Sequence, residues 1–206
     1  RGLGDVYKRQ LEKIRDPKKP FFMVVTYHEP HEPIASDHKY AKLYPAKGNP
    51  SRYDPTVTSL QAHHGNITQM DANFGRLLAA LKSNQLESNT LVIFTSDNGP
   101  HYEGGHKPGF FDSNGPLRGH KRDLYEGGIR VPLIAHWPGK VKSGSVSDHI
   151  CAHWDLMPTL CELAGIKAPK HTDGISYVPT LTGGKQKAHE YLYWEFHSYG
   201  NTQAIR

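Results

Sequence analysis

Two apolar runs of the sequence end in polar residues that could carry chemistry. The run FFMVVTY stops just before His28 and His31, and the run LVIFT stops just before Asp97 and Asn98. Asp97 and Asn98 offer neighbouring hard oxygen ligands, which suit calcium or magnesium better than zinc or copper. Because calcium takes about six to eight oxygens, the pair would supply only part of such a site. Taken alone, an Asp-Asn-Gly tripeptide is more often a simple turn.

Cationic side chains close to such a site would favour an anionic ligand. Lys121 lies in the glycine-rich stretch GPLRGHKRDLYEGGIRVP, and both Lys121 and His31 could reach an anion held beside a metal. A sulfate or phosphate ester presents only acceptor oxygens, so its site needs ammonium, imidazolium or guanidinium donors. Arg118 and Arg130 are further candidates, although an arginine beside a Gly-Gly turn more often forms a structural ion pair. His28 is equally well interpreted as a loop residue or as a partner of a ligand.

The elements that must position these residues alternate along the chain. Strands are predicted at residues 21–27, 91–95, 131–137 and 191–196, helices at 57–81 and 155–164, and irregular surface segments at 28–55 and 99–128. The first helix should end near Asn84, and the second should begin at Asp155 as N-cap and end at Gly165 as C-cap. This order predicts an α/β fold with a mainly parallel sheet flanked by helices, whose chemistry gathers at the carboxyl edge. Both polar strand ends should lie on that edge.

Composition argues against two classes of function. The net charge is +5, but residues 1–20 hold seven basic and three acidic side chains, so the rest is nearly neutral and no nucleic-acid-binding face is expected. The longest apolar run is far shorter than the roughly 18 to 20 residues of a membrane span. Cys151 and Cys161 form neither a disulfide framework nor a zinc motif.

The sequence contains 14 histidines, most of which are expected on the surface. Some could line a pocket for an acidic sugar, and the candidates are His101, His106, His120 and His197.

Several segments, in their order and spacing, resemble the sulfatase family of the alkaline phosphatase-like superfamily, in its arylsulfatase and N-acetylgalactosamine-6-sulfatase branch. They are PFFMVVTYHEPHEP, LVIFTSDNGPH, GPLRGHKRDLYEGGIRVPLIAHWPGK, DLMPTLCELAG and YLYWEFH. The resemblance implies that Asp97 and Asn98 bind a single Ca2+ ion. It also implies that His31 and Lys121 are catalytic residues that bind the sulfate and stabilise the charge on it. A sulfated carbohydrate or an aryl sulfate would be the substrate, in a protein exported to a periplasm, a lysosome or the extracellular space.

The same resemblance divides the chain into three parts. Residues 1–20 would form an N-terminal segment, whose first ten residues match nothing in the family pattern and are interpreted as foreign to the natural protein. Residues 21–185 would be the C-terminal part of the catalytic domain, and residues 186–206 the truncated start of a small C-terminal subdomain.

One part of the family pattern is absent from this sequence. Family members use a formylglycine nucleophile made from a C/S-x-P-x-R motif, and neither cysteine here lies in one. We therefore expect the nucleophile to lie outside these residues and the chain alone to be inactive. Two alternatives stay open: a phosphoesterase of the superfamily, which would have Asp-His in place of Asp97-Asn98, and a non-catalytic protein that binds sulfated glycans.

Overall fold

The computed structural model describes residues 3–198 and 200–206 of the chain. The α-helices are α1 Leu3–Arg9, α2 His38–Ala41, α3 Ser59–Ser83, α4 Pro108–Phe111, α5 Glu126–Ile129, α6 Leu156–Leu163 and α7 Val178–Thr182. The strands are β1 Val92–Thr95, β2 Leu133–His136, β3 Tyr193–Phe196 and β4 Thr202–Ile205. A π-helix covers Gln10–Ile14, and 3-10 turns cover Glu87–Asn89, Glu103–Gly105 and His153–Asp155. Among the described residues, no helix combines the length and apolar character needed to cross a membrane.

Helix α3 follows the sequence prediction closely. Its N-cap is Thr58, whose hydroxyl accepts a hydrogen bond from the Gln61 amide while the Gln61 side chain accepts one from the Thr58 amide. This reciprocal capping box satisfies two backbone donors that a helix start otherwise leaves without partners. The helix ends at Asn84, as predicted.

The first of two compact units comprises the described residues up to Glu87 together with Pro100–Ser113. Its core lies where the irregular segment after residue 28 folds back onto α3, and it contains Ile34, Ala41, Val57 and Ala62. Gly65 of α3 allows this approach, since a Cβ at that position would lie 2.8 Å from the Ala41 backbone. The core therefore ties the segment that carries His31 to the longest helix.

Residues 21–27 differ from their prediction as a strand buried on both faces. They are extended but belong to no strand, and their side chains alternate between half-buried and exposed. Phe22 is 67% exposed and Val24 is 68% exposed. A strand needs a neighbouring strand for its backbone hydrogen bonds, and among the described residues none pairs with this run.

The second unit comprises the described residues of Ser88–Gly99 and Asn114–Arg206. Strands β1 and β2 pair antiparallel, with Val92 opposite His136 and Thr95 opposite Leu133. Strands β3 and β4 form a second antiparallel pair. The expected mainly parallel arrangement is therefore wrong for the strands that the structure describes, although the α/β character is correct. A long connection joins β1 to β2, which runs in the opposite direction. Beside this pair, the Thr95 hydroxyl donates a hydrogen bond to the Pro132 carbonyl at 2.8 Å.

Helix α6 lies where predicted, and Asp155 holds its N-cap position, but not through its side chain. No side-chain capping bond is formed at Asp155, and Gly165 adopts the left-handed conformation, with φ of 68°, that follows the helix. The Asp155 carboxylate is instead fully buried and accepts hydrogen bonds from the Ala152 amide, the Ile175 amide and the His189 ring. It joins three segments of the second unit rather than closing one helix end.

Candidate functional site

Asp97 and Asn98 lie in the turn that follows β1. Asp97 is exposed and Asn98 is half-buried. The Asn98 side-chain nitrogen donates to the Gly99 carbonyl at 2.8 Å, and the Oδ1 atom is the acceptor of this side chain, as the carboxylate oxygens are of Asp97. The Ser96 hydroxyl donates to the Asn98 carbonyl at 2.9 Å and fixes the turn from the other side. The two oxygens are of the type that a hard divalent cation prefers.

His153 also supports this turn, and sequence reasoning missed it. Its Nε2 atom lies 3.0 Å from the Ser96 carbonyl, to which it donates a hydrogen bond. His153 begins the 3-10 turn before α6, 57 residues further along the chain, so no local sequence signal relates the two positions.

Close glycine packing holds the Asp97 turn against α5. The Gly99 amide donates to the Gly128 carbonyl at 2.9 Å, and a Cβ at Gly99 would lie only 1.8 Å from the Gly127 carbonyl oxygen. Such a distance is impossible for a real side chain, so only glycine allows the turn to lie this close to α5. The Asp97-Asn98 turn is thus held against α5 by backbone contacts, in addition to the side-chain hydrogen bonds described above.

The same two glycines hold the loop that carries Lys121. The Gly127 amide donates to the Arg118 carbonyl at 2.6 Å, and a Cβ at Gly128 would lie 2.4 Å from the His120 carbonyl oxygen. Lys121 itself is half-buried in a tight turn closed by the Asp123 amide, which donates to the His120 carbonyl at 2.9 Å. The structure thus brings Asp97, Asn98 and Lys121 into one unit, on segments joined through one glycine pair.

The two arginine candidates brace this loop. The Arg118 guanidinium lies 3.8 Å from the centre of the Tyr125 ring. Arg130 pairs with Glu126 at 3.6 Å, as the structural interpretation of that arginine predicted, and Glu126 also pairs with Arg206. These contacts give both arginines a structural role, which is to support the chain around α5.

His31 belongs to the first unit and is described there. Its amide donates to the His28 carbonyl at 2.8 Å, which closes a turn after the extended residues 21–27. The His31 Nδ1 atom lies 2.8 Å from the Glu32 carbonyl oxygen. A carbonyl can only accept, so Nδ1 carries the proton of the neutral ring.

His31 is one member of a histidine array, which we define as His28, His31, His101, His106, His63 and His64. Ring centres are 5.7 Å apart for His28 and His31, 5.9 Å for His31 and His101, and 5.5 Å for His101 and His106. The His106 ring stacks on His63 at 4.3 Å, and His63 lies 6.0 Å from His64. His101 and His106 are only 7% and 6% exposed, so the expectation that most histidines lie on the surface is wrong for these two.

Burial in this array changes the ionisation of His63. The pKa of His63 is lowered from 6.5 to about 4, first by burial and then by the neighbouring His106, His64 and His101. Within the part of the chain that the structure describes, the His63 Nδ1 atom is buried with no hydrogen-bond partner. A charged ring there would be poorly solvated, so His63 is neutral in the folded protein at neutral pH.

A metal centre is not assembled from the chain's own acidic, histidine and cysteine side chains. Over residues 3–198 and 200–206 no three of them are grouped so that they could hold a metal ion, the histidine array included. Asp97 and Asn98 therefore fit part of a hard-cation site, with further oxygens needed from elsewhere.

The comparisons with known proteins identify the family. A family model described as Sulfatase matches residues 3–166. The chain belongs to the sulfatase family. The match starts within the first ten residues, which the sequence motifs alone had left outside the family pattern. The chain is 31% identical to the N-acetylgalactosamine-6-sulfatase of Mus musculus over 188 residues, covering 90% of this chain and 32% of that protein. It is 32% identical to the steryl-sulfatase of Homo sapiens over 192 residues, covering 91% and 30%.

Solved structures confirm the fold of this sulfatase chain. The structure of Ps i-CgsB in complex with k-i-k-neocarrahexaose matches with a TM-score of 0.79 and 30% identity, over 99% of this chain and 42% of that one. The PsFucS1 sulfatase from Pseudoalteromonas sp. matches with a TM-score of 0.73 and 26% identity, over 98% and 38%. The α/β, alkaline phosphatase-like fold is thereby confirmed, and the chain spans about a third of the length of its curated relatives. The roles of His31, Asp97, Asn98 and Lys121 stay predictions.

Proposed function

We propose that this chain is the calcium-binding and sulfate-binding part of a sulfuric ester hydrolase. The observation that carries the proposal is the junction at Gly127 and Gly128, which holds the Asp97-Asn98 turn and the Lys121 loop together in a chain of the sulfatase family. An oxygen-rich turn and an ammonium group fixed on one backbone frame suit a sulfate ester, which has only acceptor oxygens. The proposed substrate is a sulfated carbohydrate or an aryl sulfate.

Asp97 and Asn98 would hold one Ca2+ ion through the carboxylate and the Oδ1 atom. A calcium ion there would polarise the sulfate and offset its negative charge. The Lys121 ammonium would donate hydrogen bonds to the oxygens on which charge accumulates during transfer, as a preorganised electrostatic group. The nucleophile, a formylglycine from a C/S-x-P-x-R motif, would come from sequence outside these residues.

His31 would bind a sulfate oxygen, and its geometry within the first unit restricts how. Because its Nδ1 proton is held by the Glu32 carbonyl, the ring can donate to a sulfate oxygen through Nε2 only as an imidazolium. The protonated ring could bind the sulfate and give that proton to the leaving oxygen as a general acid.

Calcium titration of the purified chain tests the cation site. Isothermal titration should give a calcium affinity that falls at least about tenfold in Asp97→Ala, the effect of removing a charged ligand. Asp148→Ala is the matched control, since Asp148 is an exposed aspartate of the same unit. Equal calcium binding by the two variants would show that Asp97 is not a calcium ligand.

The hydrolase activity needs a longer polypeptide that supplies a C/S-x-P-x-R segment ahead of these residues. It should release sulfate from 4-nitrophenyl sulfate in a calcium-dependent manner, and release phosphate from 4-nitrophenyl phosphate more slowly. Preferred phosphate release would favour the phosphoesterase alternative. Binding of a sulfated glycan with no turnover of either ester would favour the non-catalytic alternative, and turnover by the 206-residue chain alone would contradict the assignment of the nucleophile to other sequence.

A further inference from the structure

His101 is buried directly behind His31 in the first unit. The two ring centres are 5.9 Å apart with an angle of 30° between the planes, and His101 is 7% exposed whereas His31 is exposed. A ring this deeply buried is poorly placed to touch a substrate itself. Its contacts include the turn that carries His31, the His106 ring and Glu103.

Hydrogen bonds fix the orientation of the His101 ring. Its Nδ1 atom lies 3.1 Å from the Glu103 amide and 3.4 Å from the Glu103 carboxylate. In the neutral ring Nδ1 accepts from the amide, so the proton lies on Nε2. Nε2 lies 3.3 Å from the carbonyl oxygen of Pro30, to which it donates. His101 therefore holds the peptide unit immediately before His31 through one nitrogen and its own loop through the other.

The loop of His101 also packs against the residues that follow His31. Gly104 has a left-handed φ of 64°, and a Cβ there would lie 2.9 Å from the Glu32 Cβ atom and 3.1 Å from the Ile34 side chain. Glu32 is held in turn by the Tyr53 hydroxyl, which donates to its carboxylate at 2.6 Å and lowers the Glu32 pKa. The carbonyl that binds His31 Nδ1 is that of Glu32, so these contacts also orient the His31 ring.

From this geometry we propose that His101 is a positioning residue for His31, a role that rests on the proposed function of His31 as a sulfate-binding residue. The rings hold opposite tautomers: the proton is on Nδ1 of His31 and on Nε2 of His101. His101 fixes the Pro30 peptide and packs against one face of the His31 ring. Together these contacts select one ring orientation and one tautomer at His31 before the anion arrives, which reduces the ordering cost of binding.

Nitrogen NMR of the purified chain tests the positioning directly, without any ligand. At roughly pH 8, where an exposed histidine is neutral, His31 should show a single tautomer protonated at Nδ1. His101→Ala should give a mixture of the two His31 tautomers. His101→Gln should restore the single tautomer, because its amide can donate to Pro30 and accept from Glu103, whereas His101→Phe, which keeps only the ring, should restore it in part. His197→Gln is the control, because its side chain is 77% exposed in the other unit.

Sulfate affinity is the second readout. Inorganic sulfate is titrated at roughly pH 6, close to the ordinary histidine pKa, and followed at the His31 ring. His101→Ala should weaken binding about two- to tenfold, the scale of one net hydrogen bond, and His101→Gln should recover most of it. An unchanged His31 tautomer and an unchanged sulfate affinity in a folded His101→Ala variant, or in His101→Phe if the alanine variant does not fold, would overturn the proposal. If the unaltered chain binds no sulfate, the proposed function of His31 fails, while the tautomer of His31 still decides whether His101 positions it.

Discussion

The imidazole rings of His63 and His106 stack 4.3 Å apart, with 27° between their planes, in the first unit. His63 lies on α3, whereas His106 lies in the segment after β1. Their contact therefore joins the array's histidines outside α3 to that helix. It also places two rings that can both become cations within a short distance. Acidification should therefore act on this unit before the acidic side chains are neutralised.

The pH dependence has a definite direction. The folded-state pKa of His63, about 4, lies below the ordinary 6.5, so the stability that neutral His63 contributes is present above pH 6.5 and is lost between pH 6.5 and 4. We expect the loss to be about 1 to 2 kcal/mol, less than the full conversion of the shift, because the ring is only partly buried. Urea denaturation of the chain at roughly pH 7.5 and pH 4.5, followed at the ring signals of the first unit, measures it.

A variant separates His63 from other titrating groups. His63→Phe keeps an aromatic ring against His106 and Phe111 but cannot be protonated, so it should lose less stability over the same pH range. His197→Phe, at an exposed position, should behave like the unaltered chain. An equal loss in all three proteins would show that the pH effect arises elsewhere.

The buried Asp155 carboxylate should dominate the stability of the second unit. It is fully buried and accepts three hydrogen bonds, from the Ala152 amide at 2.7 Å, the Ile175 amide at 2.7 Å and the His189 ring at 2.8 Å. Asp155→Ala should lower the free energy of unfolding by about 3 to 5 kcal/mol, because it leaves buried donors without an acceptor. Tryptophan fluorescence during denaturation reports on this unit, since all three tryptophans, Trp137, Trp154 and Trp194, lie in it. Asp148→Ala, at an exposed site, should change the midpoint little, and a similar small effect of Asp155→Ala would contradict the proposed bracing role.

Local signals in the sequence predicted the elements better than their pairing. Helix α3 was predictable because its apolar spacing lies within one stretch of chain. The extended residues 21–27 and the antiparallel β1–β2 pair were not, because strand pairing depends on segments far apart in sequence. The histidine array has the same origin, since His31, His63 and His101 come from three separate segments. For the candidate site, the Asp97 turn was predictable from the strand end, but its glycine support and His153 required the fold.

Glycine packing at Gly99 gives a sharp test of how the cation site is held. Gly99→Ala would force a Cβ to within 1.8 Å of the Gly127 carbonyl oxygen, so the Asp97 turn must move away from α5. We expect calcium affinity to fall about tenfold or more even though no ligand is removed. Gly184→Ala is the matched control in the same unit, because its Cβ would meet Pro179 at an ordinary 3.4 Å. Calcium titration of both variants tests this prediction. Unchanged binding by Gly99→Ala would show that calcium affinity does not depend on the position of the Asp97 turn.

Lys121 provides the corresponding test on the anion side. Its backbone is fixed by the turn between His120 and Asp123, so replacing the side chain should alter ligand binding more than folding. Lys121→Ala should weaken the binding of inorganic sulfate, in the presence of calcium, by about tenfold or more, because a charged donor to a doubly negative ligand is lost. Lys121→Arg should retain part of the affinity, since it keeps the charge but changes the donor geometry. Lys142→Ala, an exposed lysine of the same unit, controls for the general loss of positive charge. If Lys121→Ala and Lys142→Ala weaken sulfate binding equally, the effect is one of overall charge, and Lys121 has no specific contact with the anion.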